Sequence, residues 1–130
     1  MSSMNRTIEG EVLVHHLRQD ELIIDRELLA QRGRTSRTIV KEGPLRIVLM
    51  ALSPGGDLPA HKTDQPVQIH VTDGDIVFHA AGDDYKLAKG DTLVFAAGVE
   101  HSAESADGCV FLLTVVRSDA GTGSHDAHIT

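Results

Sequence analysis

An all-β sandwich or barrel is the fold class this 130-residue sequence predicts, on three observations. Short apolar runs recur at regular spacing, and Gly, Pro and Asp clusters separate them. Regularly spaced short strands with such turns are the pattern of sandwiches and barrels. Two of the runs, LRIVLMAL (45–52) and CVFLLTVV (109–116), are apolar on almost every residue. Strands of that kind need cover on both faces.

Taken in chain order, DRELLAQRG (25–33) is the one helical segment, with Asp25 placed as N-cap and Gly33 as the residue after the C-terminus. SRTIVKE (36–42) is the first strand, followed by Gly43-Pro44 and then by LRIVLMAL. SPGGD (53–57) reads as a loop. VQIHV (67–71) and DIVFHA (75–80) flank Thr72-Asp73-Gly74, which predicts a hairpin. YKL (85–87), DTLVF (91–95) and CVFLLTVV complete the strands. Residues 1–35 form an N-terminal arm packed on the barrel or on a partner subunit, 36–117 the barrel, and 118–130 a small, polar, flexible tail. A homodimer is the simplest cover for the outer face of the doubly apolar strands; the folded-back arm is the alternative.

Composition narrows the function. The chain is long enough for one domain with a core and too short for two. Net charge is −7, with 12 Lys and Arg scattered along the chain, three Phe, one Tyr and no Trp. Neither a basic patch for phosphates nor aromatic platforms for bases is present, so nucleic acid is not an expected partner. No apolar run approaches the roughly 20 residues that span a bilayer. The start, MSSMNRTIEGE, lacks the apolar segment of a signal peptide, so the expected location is cytoplasmic. The single cysteine, Cys109, lies inside an apolar run and reads as packing.

The spacing between Gly55 and His101 carries the chemistry. Gly55, five residues, His61, one residue, Thr63, three residues, Val67, six residues and Gly74 form one block. After fifteen intervening residues, Gly90, five residues, Ala96, one residue, Gly98, two residues, His101, three residues and Ser105 form another. Parity along an extended strand puts His61, Thr63, Gln65, Val67, Ile69 and Val71 on one face, marked inward by its apolar members. His70 and His79 then face outward, and His15, His16, His125 and His128 read as surface residues. Arg46 also reads as a surface residue, with contact to an anionic ligand as the alternative.

The two blocks resemble the motifs of the cupin family. In that family the first motif runs glycine, five residues, His-x-His, three or four residues, Glu, six residues, glycine. The second runs glycine, five residues, Pro-x-Gly, two residues, His, three residues, Asn. Residues agree at Gly55, His61, Gly74, Gly90, Gly98 and His101, and depart at Thr63, Val67, Ala96 and Ser105. The resemblance implies a cupin-type antiparallel jelly-roll barrel with a short N-terminal extension, commonly dimeric, with a ligand site in its mouth. It also implies a metal set of three histidines and a glutamate, of which His61 and His101 are the members retained.

The first reading is a module that binds a small organic ligand in the barrel mouth through His61, Thr63, Gln65, Val67 and His101, with a reduced metal site. The alternative is a metal-dependent enzyme of dioxygenase or isomerase type, with Fe, Mn, Ni or Zn on His61 and His101. A third is metal-free acid–base chemistry with His61 as base, for which the sole tyrosine, Tyr85, sits on a connecting strand. Whether the protein is catalytic stays open at this stage.

Overall fold

The computed structural model describes residues 10–17 and 24–117. The tail and residues 1–9 and 18–23 of the arm lie outside the described residues. The helical segment forms as read: α1 spans Arg26–Arg32, and the Asp25 carboxylate accepts from the Glu27 and Leu28 amides. Gly33, in a left-handed conformation, closes the helix by donating its N–H to Leu29 O.

Eight strands follow: β1 (Arg34–Glu42), β2 (Leu45–Leu52), β3 (Gly56–His61), β4 (Val67–Ala80), β5 (Asp83–Ala88), β6 (Thr92–Phe95), β7 (His101–Ser105) and β8 (Cys109–Val116). All pairings are antiparallel, in the order β1-β2-β8-β4-β7-β3, with β5 and β6 also on β4. The result is a curled jelly roll whose path ends, β1 and β3, are not paired with each other.

The expected hairpin at Thr72-Asp73-Gly74 does not form. β4 is one strand through this stretch: Val67–Gly74 pairs with β8, and Asp75–Ala80 with β5 and β7. Its register on β8 shifts between Val71 and Asp73, and Gly74 has φ of 75°. A bulge followed by a left-handed residue bends a strand without ending it. β4 thereby passes from one sheet to the other. β4 ends instead in a two-residue hairpin at Ala81-Gly82, both at positive φ, between the paired Ala80 and Asp83. Positive φ at both central residues is what a tight hairpin turn requires.

Alternation sorts the strands into two cores. Val48, Met50, Leu52, Val67, Ile69, Val71, Ile76, Phe78, Phe111 and their neighbours fill the barrel. On the outer face, Leu49, Ala51, Ile39 and Val110 pack with Ile24 and Leu29. The doubly apolar β2 and β8 thus receive part of their outer cover from the helix and the residue before its cap. His15, read as a surface residue, is half-buried, and its Nε2 lies 2.9 Å from Ile39 O. Arg46 is likewise not a plain surface residue. It shares the parity of Val48 and Met50, is half-buried, and donates to Gly43 O and Leu45 O at 2.6 and 2.9 Å. No helix among the described residues is long and apolar enough to cross a membrane.

Candidate functional site

His61 and His101 are brought together by β3 and β7, two strands that the sequence reading did not find. His61 and His101 are register partners, and His101 also stands opposite Ala80 on β4. β3 was hidden by Gly56, Asp57 and Pro59, which read as loop chemistry; β7 by its mixed composition, HSAES. The signal that could have found them is the burial parity of short segments flanking each histidine. The two rings meet edge-to-face with centroids 4.6 Å apart. On its other side His101 stacks flat on Phe95, at 4.3 Å and 5° between planes.

The segment from His61 to Val71 is not one extended strand, as parity alone assumed. β3 ends at His61, residues 62–66 form a loop, and β4 starts at Val67. Burial nevertheless keeps alternating through the loop: Thr63 and Val67 are buried, Gln65 is half-buried, and Lys62, Asp64 and Pro66 are exposed. Thr63 donates its hydroxyl to Gln65 O at 2.8 Å, so that proton is committed within the loop. Gly98 of the second motif donates its N–H to Thr63 O at 2.8 Å, tying the two motif loops together. Ser105, at the last motif position, is buried and donates to Asp75 O at 2.6 Å, which fastens β7 to β4.

The tautomers follow from the backbone. His61 Nδ1 lies 3.2 Å from Pro59 O, and His101 Nδ1 lies 3.0 Å from Val99 O. A carbonyl oxygen only accepts, so each Nδ1 carries a hydrogen, and in the neutral ring Nε2 holds the lone pair. Neither Nε2 has a hydrogen-bond partner among the described residues. His101 is 3% exposed and His61 half-buried. The site therefore offers two imidazoles in contact, one of them stacked on Phe95, whose register partner is Val67.

Burial holds His101 below the usual imidazole value of 6.5, opposed by its bond to Val99 O and assisted by neighbouring His61. His79, as expected, lies on the outer side, its Nδ1 2.6 Å from Asp84 and its Nε2 3.7 Å from Glu104. The Asp84 hydrogen bond raises it above 6.5. The signs are opposite. A depressed histidine contributes stability that is complete above 6.5 and declines as pH falls toward its folded value; a raised one contributes below 6.5 and fades as pH rises through its folded value. An NMR titration of the ring protons is expected to give His79 a midpoint above that of a free imidazole and His101 one below it. Cys109 is buried and its thiol is pushed up to about 11 by burial, which fits a packing role. Tyr85 lies on β5 opposite Phe78 and is exposed.

Does this site fit the metal that the motif implies? A non-haem iron or zinc centre takes at least three protein donors. His61 and His101 supply two; Val67 supplies none; and among the described residues no group of three His, Cys, Asp or Glu side chains could hold an ion. The donor set does not fit a tight centre.

Fold and site together define a small single-barrel jelly roll with a paired-histidine end. The sequence matches the family model described as the cupin domain over residues 48–116, more than half of the chain. This chain belongs to the cupin family. Among solved structures it is similar to a cupin superfamily protein from Desulfitobacterium hafniense, with 14% identity, TM-score 0.70, and coverage of 90% of this chain and 100% of that one. It is similar also to a conserved protein of unknown function from Streptococcus pyogenes, at 24% identity and TM-score 0.64 over 92% of this chain and 98% of that one. A third likeness is to salicylate 1,2-dioxygenase from Pseudoaminobacter salicylatoxidans, crystallised with gentisate, at 17% identity and TM-score 0.69 over 79% of this chain and 32% of that one. These likenesses speak to the fold. No match is found among curated proteins.

Proposed function

We propose that the protein binds a small organic molecule at the His61–His101 end of its barrel and does so without needing a metal. One observation carries this reading: both Nδ1 atoms are spent on backbone carbonyls in two rings that touch, which leaves the Nε2 of each for a ligand. Two acceptors suit a ligand that donates hydrogen bonds, such as a vicinal diol or a catechol, whose ring or carbon frame lies against apolar walls. Val67, at the position where the family motif has a glutamate, becomes a contact surface in place of a ligand. His101, kept neutral by burial, stays an acceptor at physiological pH.

The metal-dependent reading has support of its own, because the Nε2-free tautomer held by a backbone carbonyl is also the one metal-ligating histidines adopt. A single experiment separates the two. Untagged protein is dialysed, loaded with Fe(II), Mn(II), Ni(II) or Zn(II), and assayed for metal beside a His61→Ala/His101→Ala variant. Catechol is then titrated while the imidazole nitrogens and backbone amides are followed by NMR. We expect sub-stoichiometric metal and saturable catechol-induced shifts at both Nε2 atoms, with the saturable amide shifts that catechol produces around residues 63–67 and 95–99 lost in the double variant. Stoichiometric metal lost only in the double variant would replace this reading with the enzymatic one. A homodimer belongs to the same proposal: on the outer face Ile47 and Leu112 are only partly covered, and Val94 and Val116 are exposed.

A further inference from the structure

We propose a second binding site, for a small organic oxyanion, between the end of α1 and β1, on the β1 side of the seam where β1 and β3 face each other. A cavity of about 560 Å³ opens there, lined by Leu28, Arg32, Arg34, Thr35, Ser36 and Met50. That volume lies within the roughly 300–1,000 Å³ of small-ligand pockets. Among the described residues its lining contains two guanidiniums, Thr35 and Ser36 on the two faces of β1, no carboxylate, and apolar surface from Leu28 and Met50. Guanidinium pairs recognise carboxylate and phosphate through planar, charge-assisted hydrogen bonds.

The seam exists because β1 and β3 are the unpaired ends of the strand path. Arg34 and Ser36 stand opposite Leu52 and Met50, so they carry the barrel-facing parity of those residues. Arg34 reaches across the seam and donates one N–H to Asp57 O at 3.2 Å. Its other donors, and all those of Arg32, have no partner among the described residues. The register sets this seam at the end of the strands where β4 bends: Leu52 pairs with Cys109 and Cys109 with Gly74. The histidine pair lies at the opposite end, beside Ala80 and Phe95.

The backbone that carries the two arginines is fixed. Between them, Gly33 donates to Leu29 O at 2.8 Å, and its carbonyl accepts from Ser53 N at 3.0 Å and Ser53 Oγ at 3.3 Å. Gly56 packs so closely that a Cβ there would run into Gly33 O and come within 2.9 Å of Ser53 O. A site whose donors hang from a locked turn loses little freedom on binding. Local charge agrees. In a chain of net charge −7, residues 25–37 hold Arg26, Arg32, Arg34 and Arg37 against Asp25 and Glu27, a local excess of positive charge, with Asp57 across the seam.

The test is an amide NMR titration of the full chain with sodium benzoate, with inorganic phosphate and, as the cationic control, with benzylamine. Saturable shifts are expected at Arg34, Thr35 and Ser36, with His61 and His101 unmoved and benzylamine inert. Benzoate alone would assign the site to organic carboxylates, and phosphate alone to phosphate esters. Arg32→Gln/Arg34→Gln is expected to weaken binding about tenfold, the loss of charge-assisted bonds, and Lys86→Gln to leave it unchanged. Arg32→Gln by itself, at an exposed helix end, gives a weakening of the same sign should the double variant not fold. Absence of saturable shifts with both anions at millimolar concentration, or equal binding by a folded Arg32 variant, overturns the proposal.

Discussion

Gly74→Ala is expected to destabilise the fold by about 3–5 kcal/mol, among the largest losses any single methyl could cause here. Two costs combine. Gly74 holds φ at 75°, where an L side chain costs about 1–2 kcal/mol. Its new Cβ would also run into Gly108 O and lie within 2.9 Å of Cys109 Cα, both backbone atoms. Backbone cannot rotate aside as a side chain can, so β4 and β8 would have to separate at the bend. Gly82→Ala is the control: its φ is 83°, and a Cβ there meets nothing within 4 Å. Urea denaturation of the two variants is expected to give the dihedral cost alone for Gly82 and a clearly larger loss for Gly74. Equal losses would mean that the close approach to Gly108 relaxes without cost.

Phe78→Ala is expected to cost about 3–5 kcal/mol, the range for removing a large buried aromatic ring. Phe78 is 1% exposed and touches Phe95 and Phe111 edge-on, with ring centroids at 5.6 and 6.2 Å. Its ring centroid is 6.3 Å from that of His101. The cavity left behind would therefore undercut Phe95, the ring on which His101 stacks. A second readout follows: the depressed titration of His101 should move back toward that of an ordinary imidazole as water enters. Denaturation together with the ring-proton titration checks both. A destabilised variant with His101 unshifted would show that Phe95 alone sets its environment.

Most of the barrel was legible because burial writes itself into strands with period two. β2 and β8 announced themselves by unbroken apolar runs, and α1 by Asp25 and Gly33 at its two ends. The errors have specific causes. Asp73-Gly74 carries hairpin chemistry, but a left-handed glycine serves a bulged bend as well as it serves a turn, and only the β8 partner distinguishes them. The hairpin that ends β4, Ala81-Gly82, has a residue at its first position that local preference disfavours. β3 was obscured by Gly56 and Pro59, residues that an edge strand tolerates and a central one does not. His61 and His101 were found through motif spacing, whereas their facing one another depends on the β3–β7 register. The Arg32–Arg34 seam was not legible at all. It arises where two strand ends meet, and neither end names the other in sequence.

β4 has a further consequence, for the order in which the molecule can come apart. Its first half is hydrogen-bonded within one sheet and its second half within the other, so neither sheet owns a complete set of strands. A partly unfolded form that keeps one sheet and releases the other must tear a continuous strand at its bend, exposing core residues on both sides. Such forms are costly, and the histidine end and the arginine seam, at opposite ends of the same barrel, should be lost together in one cooperative event.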